Sequence, residues 1–264
     1  MAIRNILINT PDVERSAAFY QRFLGALSVG EIDSDHAVLD LVTATFELRR
    51  VDEPDESTWS TDDLVKGFRH TGFKVAEVDP LVEALRGAGV PFHLDPLEAE
   101  GGVRIAFFFA PEGTLLELVQ RDLQYHVVHD EVGVARERAL GVPERPRFDH
   151  IAVTVEDEAA TEEFYRPFGF ARIGTIEQEW DPRGYHLDFL KSGDTVLEIF
   201  SYDVPKHPRA PQLSAPGFVA AVLDGPQEGA PADAIEVGRT AAGTTVVSDR
   251  DGFPFTLVTE AALG

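Results

Sequence analysis

The sequence predicts an α+β fold of four modules, each a strand, a helix and three more strands, duplicated within one chain. Two observations carry this. The segment "NILINTPDVERSAAFYQRFLG" from Asn5 returns as "HIAVTVEDEAATEEFYRPFG" from His150, with Asn5 against His150 and Phe19 against Phe164 at one offset of 145 residues. A fixed offset over such a length marks duplicated architecture. Each copy also opens on an alternating apolar strand, passes through an acidic helix start into an amphipathic helix, and closes that helix on Gly.

Taken in order, module one runs from "RNILINT" through the helix "DVERSAAFYQRFLG" to "TATFELRR". Asp12 and Glu14 suit the positive end of that helix and Gly25 stops it. The acidic, proline-bearing "VDEPDESTWSTDD" then reads as a surface connection at the mouth of a site. Module two opens on "RHTGFKVAEVD". Asp79 is expected to cap its helix, with Pro80 in the first position and Gly87 and Gly89 at the end. Its last strands, "GVRIAFFFA" and "TLLELVQ", meet at a Pro111-Glu112-Gly113 turn. Module three spans "FDHIAVTVED" to "DTVLEIFSYD", and module four "GFVAAVLD" to "FPFTLVT". In module four "GPQEGAPADAIEVG" has Pro and Gly where module two has a clean helix, so this module reads as eroded. The division expected is an N-terminal half over 1–122, a linker over 123–146 holding a short helix in "DEVGVARERALG", and a C-terminal half over 147–264.

The 264 residues are 44% hydrophobic and carry a formal charge of -23, which opposes nucleic acid and anionic membranes. Without cysteine there is no disulfide, thiolate ligand or cysteine nucleophile. The longest apolar run, Ile105 to Pro111, is far short of a membrane span, and no basic-then-apolar leader follows Met1. A cytoplasmic protein, monomeric or homodimeric, is the expectation.

Equivalent strand positions carry chemistry. First strands present Asn5 in module one, His70 in module two, His150 in module three and, at the same offset from His70, Ala215 in module four. Last strands present Glu47, Glu117, Glu198 and Thr256. Each residue alone is unremarkable: a strand Glu is commonly solvated and a strand His structural. Together, charged groups between apolar neighbours are costly unless paired or bound to metal, and His with carboxylate suits Zn, Ni, Co, Mn or Fe(II). One divalent ion is the cofactor expected.

On "DVERSAAFYQRFLG" and "APEGTLLELVQ" above all, the chain resembles the vicinal oxygen chelate superfamily of glyoxalase I, bleomycin-resistance proteins and extradiol dioxygenases. The resemblance implies that two modules close one open mixed β-barrel around a metal, so four modules make two. Pairing neighbours would leave two damaged sites. Pairing modules two and three instead collects His70, Glu117, His150 and Glu198 into one complete set and leaves Asn5, Glu47, Ala215 and Thr256 in a nearly erased one. The residue distribution favours this crossed pairing.

The resemblance further implies a lyase or isomerase of the glyoxalase I type. The metal chelates two neighbouring oxygens of a small substrate and stabilises an enediolate, and Glu117 or Glu198 moves the proton. Two alternatives stay open. His70, His150 and Glu117 alone would form the facial triad of an Fe(II) ring-cleaving dioxygenase, with His126, His129 and His186 as nearby histidines by residue type only. A non-catalytic drug-binding protein is the other, with Trp180 and Tyr185 stacking a ligand. No basic residues assignable to glutathione are evident.

Overall fold

The architecture is that of a computed structural model describing residues 3–225, 229–240 and 242–258. Module one comprises β1 (Ile3–Thr10), α1 (Val13–Leu24), β2 (Leu27–Ser28), β3 (His36–Asp40) and β4 (Thr45–Arg50). Asp12 caps α1 by accepting the Arg15 N–H at 2.9 Å. Gly25 ends it in the left-handed conformation at φ 60, where a side chain would be strained. Module two comprises β5 (Gly67–Val75), α2 (Val78–Gly87), β6 (Phe92–Glu98), β7 (Arg104–Phe109) and β8 (Leu115–Gln120). Asp79 does not cap α2. The helix already starts at Val78, whose N–H is accepted by Gln120 Oε1 at 3.0 Å, and Arg104 holds the Asp79 carboxylate at 2.7 and 3.0 Å.

The segment between the halves carries β9 (Val127–Val128) and α3 (Glu131–Ala139), the latter capped by Asp130. Module three follows with β10 (Arg147–Thr154), α4 (Glu158–Tyr165), β11 (Ala171–Glu177), β12 (His186–Ser192) and β13 (Thr195–Ser201). Module four has β14 (Gly217–Asp224), β15 (Ile235–Arg239), β16 (Thr245–Ser248) and β17 (Pro254–Val258). Among the described residues no helix lies between β14 and β15, in keeping with the Pro and Gly there; 226–228 fall outside those residues. Among the described residues, too, no helix is long and apolar enough to cross a membrane.

Strand pairing crosses the halves. One sheet has the order β15-β16-β17-β14-β1-β4-β3-β2 and unites modules four and one; the other, β6-β7-β8-β5-β10-β13-β12-β11-β9, unites modules two and three. In each module the first strand runs parallel to the last, and two modules meet antiparallel through their first strands, β1 with β14 and β5 with β10. Both sheets are open and mixed.

A single apolar core joins the sheets. Phe46 on β4 packs at 5.7 Å from Phe73 and 5.9 Å from Phe148, both on the other sheet. Two buried polar latches add to it, from tyrosines at equivalent repeat positions. Tyr20 on α1 donates to Glu112 at 2.6 Å, with Ser16 donating to the same carboxylate at 3.0 Å; Tyr165 on α4 donates to Asp249 at 2.8 Å. Glu112 sits in the β7-β8 turn and Asp249 in the β16-β17 turn, so each latch ties a helix from one sheet to a turn of the other. Burial pushes the Glu112 pKa up and that of Tyr20 well up, so both gain from the hydrogen bond that spares them isolation. Tyr20→Phe leaves Glu112 short of one buried donor. It is expected to cost about 1.5–3 kcal/mol, read from urea unfolding midpoints.

Candidate metal centre

The four middle strands of the larger sheet, β8, β5, β10 and β13, each contribute one ligand-type residue. Register sets their arrangement. Glu117 pairs across to Gly72 and Gly72 to His150, making one row; His70 pairs to Ala152 and Ala152 to Glu198, making the next. Side chains two apart on a strand share a face, so all four point the same way. The positions between them hold only Gly72 and Ala152, which leave the imidazoles and carboxylates room to lean together. A Cβ on Gly72 would overlap the His150 ring.

The donor atoms converge. His70 Nε2 lies 3.2 Å from Glu117 Oε2, 3.5 Å from Glu198 Oε2 and 3.3 Å from His150 Nε2; His150 Nε2 lies 3.0 and 3.3 Å from the same carboxylate oxygens. An ion ~2.1 Å from each donor sets neighbouring donors about 3.0–3.4 Å apart, which is the spacing found. All four residues are buried, and all four donor atoms lie within 4.8 Å of one another. The group therefore fits a divalent cation. His150 Nδ1 meets Asp149 Oδ2 at 3.2 Å, an outer carboxylate that turns the Nε2 lone pair inward.

The electrostatics agree. Burial lowers the pKa of His150, but the charge of Glu198 and hydrogen bonds to Asp149, Glu117 and Glu198 outweigh it and raise it well above the usual value. Burial would likewise raise the pKa of Glu198, yet the two imidazoles bring it down to about 2. Two buried carboxylates thus favour a positive charge at this point, and a divalent ion could supply it in place of a proton.

Above the donors opens a cavity of about 500 Å³. Glu117, Glu198 and His70 form its floor, and its walls include Phe107, Phe189, Phe200, Ile176 and Tyr185, with the exposed Trp180 at the mouth. Arg69, a cation on the wall, is spent on the carbonyls of Ser60, Thr61 and Asp62 and on Asp63.

The sequence profile of the Glyoxalase/Bleomycin resistance protein/Dioxygenase superfamily matches residues 2–118 and again 147–260. The chain belongs to this superfamily. An uncharacterized protein of Bacillus subtilis, YwkD, is 32% identical over 127 residues, which is 46% of this chain and 97% of that protein. Glyoxalase I of Zea mays superposes with a TM-score of 0.66 at 17% identity, over 99% of this chain and 93% of that one. A putative dioxygenase of Bacillus subtilis superposes at 0.62 and 13% identity, over 97% and 84%. These likenesses show the shared fold.

In this superfamily member the smaller sheet does not carry the same set of residues at the equivalent positions, and its register corrects one alignment. Leu7 pairs with Ala220 where Ala152 pairs with His70, so the counterpart of His70 is Ala220 and not Ala215. The 145-residue offset of modules one and three does not carry over to modules two and four, whose connections differ in length. The repeated Gly-Phe of Gly67-Phe68 and Gly217-Phe218 marks the true alignment. The counterparts are thus Asn5, Glu47, Ala220 and Thr256. The clearing is filled as well: Val222 stands where Gly72 does and Leu7 where Ala152 does. Glu47 is neutralised by Arg49, with Asn5 donating at 3.0 Å and His36 at 3.2 Å. Glu47→Gln is accordingly expected to leave metal content unchanged by elemental analysis.

His126, His129 and His186 do not line the cavity above the donors. His126 Nδ1 accepts the Glu177 N–H at 3.1 Å, His129 meets Thr175 at 2.9 Å and His186 meets Ser201 at 2.7 Å. His186, Glu158 and Asp188 do cluster, but Arg172 already pairs with Asp188 at 3.1 Å. Sequence reasoning missed Asp149, which directly precedes His150, and His93, which lines the cavity beside Phe107.

Proposed function

We propose that this protein is a divalent-metal-dependent lyase or isomerase that moves a proton on a small substrate presenting two neighbouring oxygens. The observation that carries the reading is two histidines and two carboxylates around one point, three of them on the floor of a cavity with aromatic and aliphatic walls. A bound ion would polarise the substrate oxygens as a Lewis acid. His70 and His150 would hold it, with Asp149 fixing the tautomer of His150. Glu117 and Glu198 both reach the cavity, and one of them would take a proton from a substrate carbon and, as the carboxylic acid, return it to the neighbouring carbon. With Arg69 engaged, the cavity favours an apolar, uncharged substrate body over a peptide bearing carboxylates. The full set of four ligands disfavours the ring-cleaving alternative, because oxygen and catechol need positions that Glu198 takes up.

Elemental analysis of purified protein is expected to find one divalent ion per chain. In D₂O, NMR of a panel of α-hydroxyketones and hemithioacetals should show metal-dependent exchange of the carbon-bound proton. Glu117→Gln or Glu198→Gln should slow it about 10²–10⁴-fold. Folded protein without metal, or exchange indifferent to both substitutions, overturns the proposal.

A further inference from the structure

A second cavity, of about 280 Å³, lies between the 51–66 connection and the 203–216 connection and shares only the wall residue Leu115 with the metal cavity. Its walls are aromatic. Trp59 and Phe109 meet edge to face at 5.8 Å, and Phe68 on β5 stacks flat on Phe218 of β14 at 3.9 Å. Arg209 reaches into this apolar surround. One guanidinium nitrogen donates to the Phe68 carbonyl, while Nη1 is buried and has no hydrogen-bond partner among the described residues. Arg209 is half-buried, and a guanidinium partly removed from water without a carboxylate carries a desolvation cost that nothing nearby offsets. It is the more unusual in a chain with a net charge of -23. The acid that also lines the cavity, Glu112, is bound to Tyr20 and Ser16. Burial and the nearby charge of Arg69 lower the Arg209 pKa to about 10, with no acid offsetting them.

We infer that this cavity is a binding site for a small aromatic carboxylate, with its anionic oxygens on the Arg209 guanidinium, which has no carboxylate partner among the described residues, and its ring against the aromatic walls. The carboxylate would give the guanidinium its missing partner, and the flat walls accept a planar ring edge-on or stacked. The site stands apart from the metal centre and does not depend on the reaction proposed there.

Phenylacetate and its neutral isostere phenylacetamide test this directly. The chain has two tryptophans, so in a Trp180→Phe background the fluorescence reports Trp59 alone. Phenylacetate is expected to quench it saturably, and phenylacetamide to bind about 10- to 100-fold more weakly. Arg209→Gln should bring phenylacetate down to the level of the amide. Saturating acetohydroxamate, a two-oxygen chelator aimed at the metal centre, should leave the phenylacetate isotherm unmoved. Equal binding of acid and amide on the unaltered Arg209 overturns the inference whether or not the Arg209 variant folds. So does the absence of quenching by phenylacetate, or its displacement by acetohydroxamate.

Discussion

Gly72→Ala is expected to strip the protein of its metal while leaving all four ligand residues in the sequence. Gly72 has an ordinary backbone conformation, so alanine is tolerated locally; the conflict is with the His150 imidazole, which lies over the position a Cβ would take. The ring must swing away, and Nε2 leaves the point shared with His70, Glu117 and Glu198. Altering the orienting groups around a metal ligand typically costs 10–100-fold in affinity, so displacing a ligand outright should cost at least about 100-fold. Competition with a chromogenic chelator measures it, beside His70→Ala as the direct deletion. Gly87→Ala serves as control, since a Cβ there meets nothing within 4 Å. Near-native affinity in Gly72→Ala would show that His150 does not bind the ion from this position.

The second large effect is on stability. Burial pushes the Asp249 carboxyl up to about 6 despite the Phe253 N–H at 2.9 Å and the Tyr165 hydroxyl at 2.8 Å, and the neighbouring Asp251 adds to the rise. A carboxyl with a raised folded-state pKa contributes stability that is complete below its unfolded value and is lost as pH climbs through the folded one. Over the full titration the native state should therefore lose about 3 kcal/mol at this residue alone, of which about 1.3 kcal/mol falls between pH 5 and pH 7. In Asp249→Asn that loss should vanish. The amide oxygen still accepts from the backbone, and no charge is buried as pH rises. Urea midpoints at pH 5 and pH 7 for both proteins isolate the effect as a difference of differences, which removes what the other groups contribute. A variant that tracks the parent at both pH values would place the titration elsewhere.

Much of the fold was legible because duplication leaves a direct trace. The Phe-Tyr pairs of α1 and α4 and their Asp caps at Asp12 and Asp157 recur in one frame, with the glycines that follow, Gly25 and Gly169, one residue out of it, and local chemistry decides each. The partnership of modules two and three could be favoured from where His and Glu survive. What stayed hidden depends on register. That Gly72 and Ala152 form the clearing, and that Val222 and Leu7 close its counterpart, follows only once neighbouring strands are aligned. The misplacement of Ala215 has the same origin, because an offset measured in one module pair was carried into another with connections of different length. Asp79 misled for another reason. Its carboxylate suits a cap, but Arg104 across the module and Gln120 at the amide offered a lower-energy arrangement.

The crossed pairing of strands has a consequence for how the chain is made. On a ribosome, β1 gains β4 on one edge within the first module, but its other edge waits for β14, which begins at Gly217. At ordinary rates of synthesis that wait is roughly 10–40 s. Throughout it, an apolar strand edge in the first module stands open while the larger sheet is completed beside it. The nascent chain is thus a half-built protein clasping a finished one, and its vulnerable period ends only when the last and most eroded module arrives to close the seam.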